Sequence, residues 1–246
     1  MDEIKNWNIW LKSPLGSKLI NEEKFWLDSN VEDIFGYHAV QICPFEYDFL
    51  KKNRIRQKYK LSFYHNTDTN KNYNDSFLIS KDFLPFSSQS IDLLLLVHVV
   101  EILNNPHVLL REVERVMIPE GKLIICGFNP YGLWVFSRIF NKNQLPTCLG
   151  EWVGLVRLKD WCKLLGFEII GGSFLAYYPA INSKKWLSKL DWMNSIGQRW
   201  WPMAGGVYCL SMVKRASGIK LDETKIWKTP KFSKKNIPSL SAKIKK

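Results

Sequence analysis

The sequence has no Cys-x-x-Cys pair, and its five cysteines (Cys43, Cys126, Cys148, Cys162, Cys209) are odd in number and scattered. That spacing argues against a disulfide framework and a thiolate zinc site, and it suits a reducing compartment. No metal ligand set is expected. Long apolar runs are missing too. The longest, Ile91 to Val100, is broken by Asp92 and His98 and is far shorter than a bilayer span requires. The start, Met1-Asp2-Glu3-Ile4-Lys5, lacks a basic stretch followed by an apolar one, so no signal peptide is expected and the sequence reads as cytoplasmic. No Gly-x-Gly-x-x-Gly follows the first strand-like segment, which argues against a nicotinamide dehydrogenase. Acidic residues are scarce at one end: from 214 to 246 eleven Lys/Arg stand against Asp222 and Glu223, a net +9 of the chain's +12.

What is present is apolar material. With 246 residues, 46% hydrophobic and 14% aromatic, the chain can bury a sizeable α/β core. Three parts are expected: a helical cap over 1–33, one α/β domain over 34–215, and a basic tail over 216–246. The tail is poor in large apolar residues and is read as disordered from about Ser217. Its charge fits attraction to nucleic acid or an anionic surface through 214–246, and equally a solubilising, lysine-biased end.

Ser13-Pro14 pairs a capping hydroxyl with a proline pre-set for a first turn, and Leu15, Leu19, Ile20, Phe25 and Trp26 continue an amphipathic helix to about Asp28. Tyr37 to Cys43 reads as a first strand, Phe45 to Asn53 as a helix, and Tyr59–Tyr64 and Phe77–Ile79 as short strands. Ile91 to Val97 is the continuous apolar run of a strand buried on both faces. A helix starts at Asn105-Pro106, Pro119-Glu120-Gly121 turns, and Lys122 to Phe128 forms the next strand: a βαβ unit. Arg157 to Leu165 reads as a helix closed by Gly166. Phe167 to Phe174 and Val207 to Val213 read as two further strands.

The ordered set Leu84-Pro85-Phe86, Ser90-Ile91-Asp92, His98, Leu110 through Val116 and Pro119-Glu120-Gly121 resembles class I methyltransferases of type 11. Gly127-Phe128-Asn129-Pro130, Leu133-Trp134, Phe35-Gly36-Tyr37-His38 and Arg157 through Trp161 narrow the resemblance to an uncharacterised bacterial subgroup. The resemblance covers about residues 7 to 215. It implies a single-domain, doubly wound, mostly parallel seven-stranded sheet, a Rossmann-like fold with the last strand antiparallel. It also implies S-adenosylmethionine at the carboxyl ends of strands one, two and four, where strand order reverses. By the same resemblance Gly36, Gln41, Ile42 and Cys43 line the cofactor edge, Leu84, Pro85 and Phe86 sit by the adenine, and His98 stands beside the methyl group. Asp68 is the candidate for the ribose hydroxyls, and Ser80 or the offset Asp82 for the adenine amine. The pattern departs from the family where strand one ends Gln41-Ile42-Cys43-Pro44-Phe45-Glu46, with no glycine to let the backbone approach a cofactor.

Two residues are candidates for catalysis. His98, with an ordinary pKa of about 6.5, reads as a general base or as a histidine satisfied by backbone in a turn. Asn129 reads as a substrate ligand or as the start of an Asn-Pro turn. Glu101 either bonds His98 or caps the next helix. Tyr177 to Gly206, rich in tryptophan and lysine, reads as a lid helix, a hydrophobic substrate cover or a basic aromatic surface for lipid or nucleic acid. The leading expectation is S-adenosylmethionine-dependent methyl transfer to an unidentified acceptor. The alternative is a degenerate methyltransferase-like binding module contacting RNA or an acidic partner. A third reading is an enzyme acting on a lipophilic substrate at a membrane surface.

Overall fold

The computed structural model describes residues 2–62, 76–78, 83–140, 145–146 and 151–216. Asp68, Ser80, Asp82 and the tail from 217 lie outside the described residues. The chain opens with α1 (Asp2–Leu11) and α2 (Pro14–Val31). The Ser13 hydroxyl accepts from the Gly16 amide at 3.1 Å and Pro14 opens the first turn, so α2 starts where its capping signal lies. Gly16 lets the two helices meet: a β-carbon there would come within 2.4 Å of the Trp10 carbonyl oxygen.

Seven strands follow: β1 (His38–Ile42), β2 (Gln57–Ser62), β3 (Ser76–Leu78), β4 (Ile91–Val97), β5 (Met117–Phe128), β6 (Phe167–Leu175) and β7 (Val207–Lys214). They form one sheet of order β3-β2-β1-β4-β5-β7-β6. Only β7 runs antiparallel to its neighbours. The helices α3 (Pro106–Val116), α4 (Trp134–Phe140), α5 (Leu155–Leu164), α6 (Lys184–Lys189) and α7 (Trp192–Trp200) complete the elements among the described residues. No helix among the described residues is long and apolar enough to cross a membrane.

Alternation along the strands sorts the core into two layers. Ala39, Leu93, Leu95, Val97, Ile124 and Cys126 face α1 and α2. Val40, Ile42, Leu94, Leu96, Leu123 and Ile125 face α3 and α5. Burial on both faces is why β4 is almost unbroken leucine. Between β1 and β4 the chain departs in opposite directions, and this is where an open α/β sheet forms its crevice.

The stretch read as helical over 45–53 is not a helix. β1 returns to β2 through residues 43–56 in turns alone. Side chains have taken the backbone groups a helix would use. Gln41 Oε1 accepts from the Phe49 amide at 2.9 Å, and Gln41 Nε2 donates to the Tyr47 carbonyl at 2.5 Å. Asn53 donates to the carbonyls of Val31 and Ile34 and accepts from the Ile55 amide. The Pro119–Gly121 turn is absorbed into β5 as an irregularity, with Glu120 in the left-handed region at φ +63°. Gly166, at φ +82°, ends α5 as its position after the helix requires.

Candidate functional site

The carboxyl ends of β1, β4 and β5 converge on His98, the residue after β4. Its backbone is left-handed, φ +55°, a conformation a non-glycine residue holds only when its surroundings fix it. Nδ1–H donates to Glu101 Oε1 at 2.6 Å and Nε2–H to Glu23 Oε1 at 2.7 Å. Glu101 Oε1 also accepts from the Phe128 amide at 3.2 Å. All three side chains are buried. Burial alone would lower the imidazole's proton affinity, but the two carboxylates outweigh it and hold His98 well above its ordinary value. An imidazolium donating from both nitrogens has no lone pair to offer, and no solvent reaches it. His98 is therefore not a general base in this state. The sequence reading of Glu101 as a helix cap is corrected likewise: it bonds His98.

Above this group lies an aromatic lid. Trp7 of α1 stacks on Phe45 (5.5 Å between ring centroids) and on Phe128 (5.8 Å), and its ring stands 5.2 Å from that of His98. Phe128 stacks in turn on Trp152. Trp7 is 1% exposed and Phe45 4%. Two buried polar atoms inside the lid, Trp7 Nε1 and Glu23 Oε2, have no partner among the described residues.

The other residues expected to form the site are dispersed. Gln41 and Cys43 do reach the edge, but Gln41 braces the turn after β1 and Cys43 Sγ donates to the Phe45 carbonyl at 2.9 Å; burial pushes that thiol's pKa up. Ile42 points to the opposite layer. Gly36 lies at the amino end of β1, where a β-carbon would meet Asp92 at 2.4 Å, so its small size lets the chain entering β1 pass close to Asp92 of β4, whose carboxylate accepts from the Tyr37 and His38 amides. Arg115, in the last turn of α3, holds the carbonyls of Leu84 and Phe86, and Leu84 packs under α3. That last turn leads straight into β5, so Leu84, Pro85 and Phe86 lie toward the strand starts, away from the crevice. Asn129 spends its amide on the carbonyls of Met203 and Gly205 (2.8 and 2.9 Å) and accepts from the Tyr131 amide, which makes it a turn residue tying β5 to the segment before β7.

Beside the lid a cleft of about 820 Å³ opens between α2, the end of β6 and the α6–α7 pair. β6 runs parallel to β5, so this cleft belongs to the same edge. Glu22 lines it. Burial raises its carboxyl to about 7, against the opposing hydrogen bond from Asn194 Nδ2 at 2.8 Å and the charge of Lys18. Asn194 is itself fixed, accepting from the Tyr177 amide at 3.0 Å. Lys18 pairs with Asp191 and donates to the Leu187 carbonyl at 3.2 Å, holding α6–α7 to α2. Gly197 allows α7 to lie against the Tyr177 ring, 2.5 Å from where a β-carbon would be.

Sequence reasoning missed Trp7, Glu22 and Glu23. For Glu23 a signal existed: Leu15, Leu19, Glu23, Leu27 and Val31 form one row at four-residue spacing, all buried, with a single acid in the middle. Nothing local distinguishes Glu22 from a solvated helix charge.

The strand order and the crevice it creates define a class I methyltransferase fold. A family model described as a methyltransferase domain matches residues 56–125. A methyltransferase from Archaeoglobus fulgidus, described as SAM-dependent, superposes with TM-score 0.55 at 13% identity over 80% of this chain and 94% of its own. One from Mesorhizobium loti gives 0.50 at 10% identity over 76% and 95%. A chain from the Haloferax volcanii complex of the Trm112 methyltransferase activator with a candidate methyltransferase gives 0.52 at 13% over 88% and 98%. At these identities the likeness speaks for fold. The uncharacterized protein YafS of Escherichia coli K12 is 39% identical over 99 residues, 39% of this chain and 40% of its own length. The match thus spans two fifths of that relative. The fold is that of class I methyltransferases, and residues 56–125 are similar to their methyltransferase domain.

Proposed function

We propose that the chain is an S-adenosylmethionine-dependent methyltransferase, acting in the cytoplasm, whose donor corner is held shut by α1 and whose acceptor sits in the α2–α7 cleft. The methyltransferase-domain match supports the cofactor. The residues at the donor corner do not fit it in the closed state. Phe45 and Trp7 occupy the space beyond Gln41 and His98, no glycine occurs between Gly36 and Gly121, and no helix N-terminus follows β1 to receive a carboxylate. Of these obstacles Trp7 alone belongs to a separate segment, joined to α2 by Lys12 and Ser13.

The observation that carries the reading is Glu22. A carboxyl raised to about 7 at the mouth of a cleft can take up a proton from an acceptor's nucleophile near neutral pH. Asn194 orients it and Lys18 tunes its charge. His98 positions: it ties Glu23 of α2 to Glu101 and so fixes the wall between lid and cleft. No comparison supports the alternative of a binding module for RNA or an acidic partner.

Titration calorimetry with S-adenosylhomocysteine tests this. If the lid closes the site, Trp7→Ala binds at least about tenfold tighter than the parent chain, because the fraction of open molecules sets apparent affinity. Absence of heat with both proteins would sink the enzymatic reading and leave the architecture alone.

A further inference from the structure

α7 turns its apolar stripe outward. Trp192, Ile196 and Trp200, at four-residue spacing, are 58%, 40% and 70% exposed, and Gly197 faces the core instead. Trp186 of α6 and Trp201 and Met203 after α7 extend the exposed surface. Lys184, Lys185, Lys189 and Arg199 flank it, and the lone acid of the 184–203 segment, Asp191, is engaged by Lys18. Lys189 Nζ stands 5.7 Å over the Trp186 ring.

We infer that the α6–α7 face binds an anionic lipid bilayer surface. Four exposed indoles with aliphatic side chains among them, ringed by cations at net +3, match a layer whose surface is negative and whose interior is apolar. Indole rings favour the boundary between headgroup and acyl chain. A second copy of the chain does not fit, because two such faces would set +3 against +3. Nucleic acid fits less well, because Ile196 and Met203 interrupt the rings that bases would stack on. The cleft opens along the same helices, lined by Lys184, Leu187, Ser188 and Asn194, with exposed Phe25 on its opposite lip. A lipophilic molecule leaving the bilayer would meet it first. The inference stands independently of methyl transfer.

Co-sedimentation of the full chain with phosphatidylcholine vesicles, with and without phosphatidylglycerol, tests it. The protein is expected to pellet with the anionic vesicles and its tryptophan emission to shift to the blue. Replacing Trp192 and Trp200 by Ser should weaken binding about tenfold or more. Removing Lys185, Lys189 and Arg199 as Gln should weaken it about fivefold per charge, and salt should mimic that loss. No vesicle binding, or binding that both variants retain in full, overturns the inference; retained binding would instead belong to another surface such as the basic 214–246 stretch. Substitutions that reduce affinity for a single-stranded RNA oligomer and leave vesicle binding unchanged overturn it as well.

Discussion

Two neighbouring glutamates on one helix live in opposite worlds. Glu23 enters the sealed corner, bonded to an imidazolium under Trp7, whereas Glu22 lines the open cleft with a carboxyl that titrates near 7. Rotation by one residue on α2 separates a side chain sealed under the lid from one that lines the cleft. The contrast teaches that surroundings decide what a side chain can do: Glu23 is spent on His98, and Glu22, buried beside the Asn194 amide, has its carboxyl raised.

The comparison can be broken in order of effect. Glu23→Ala leaves His98 with one partner in a dry site, and urea unfolding should show a loss of about 3–5 kcal/mol. Trp7→Ala empties the lid and should cost about 3 kcal/mol or more while admitting ligand. The two differ in kind, since only the second should tighten S-adenosylhomocysteine binding. Gly36→Ala forces a β-carbon onto Asp92 and should cost about 1–3 kcal/mol without touching either site.

Smallest and most specific is Glu22→Gln. A carboxyl raised from 4.5 to about 7 binds more protons in the folded state, so its burial lowers stability progressively as pH rises from 4.5 to 7. Glu22→Gln removes that loss: its melting temperature should exceed the parent's at pH 8 and converge with it near pH 4. His98 works at another window. Its folded value is raised, so its contribution is complete below about pH 6.5 and fades only as pH climbs through the elevated value. A His98→Gln variant should lose that alkaline decline while keeping the one below pH 7.

Much of the scaffold was legible because local and global signals agreed. The Ile91–Val97 run, the Ser13-Pro14 cap and the apolar face of α3 each appear where the pattern put them. The turns after β1 were misread because two amides, Gln41 and Asn53, took the backbone groups that a helix needs. His98 was found by position, but its role depends on Glu23, far away in sequence, whose own charge breaks an apolar row. α1 lies within the helical cap expected over 1–33, but its role as a cover was not legible, because Phe45 and Phe128, which receive Trp7, are far away in sequence.

The helix-free return from β1 to β2 has a consequence for how this chain tolerates cutting. The sheet face that a crossover helix would shelter is covered by α2, which comes before β1 rather than after it, and whose Leu15, Leu19, Leu27 and Val31 are fully buried there. A protein begun at Ile34 would therefore lose Trp7, Trp10, Leu15, Leu19, Ile20, Leu27 and Val31 from one core layer, and the leucines and valines left uncovered on the sheet would drive it out of solution.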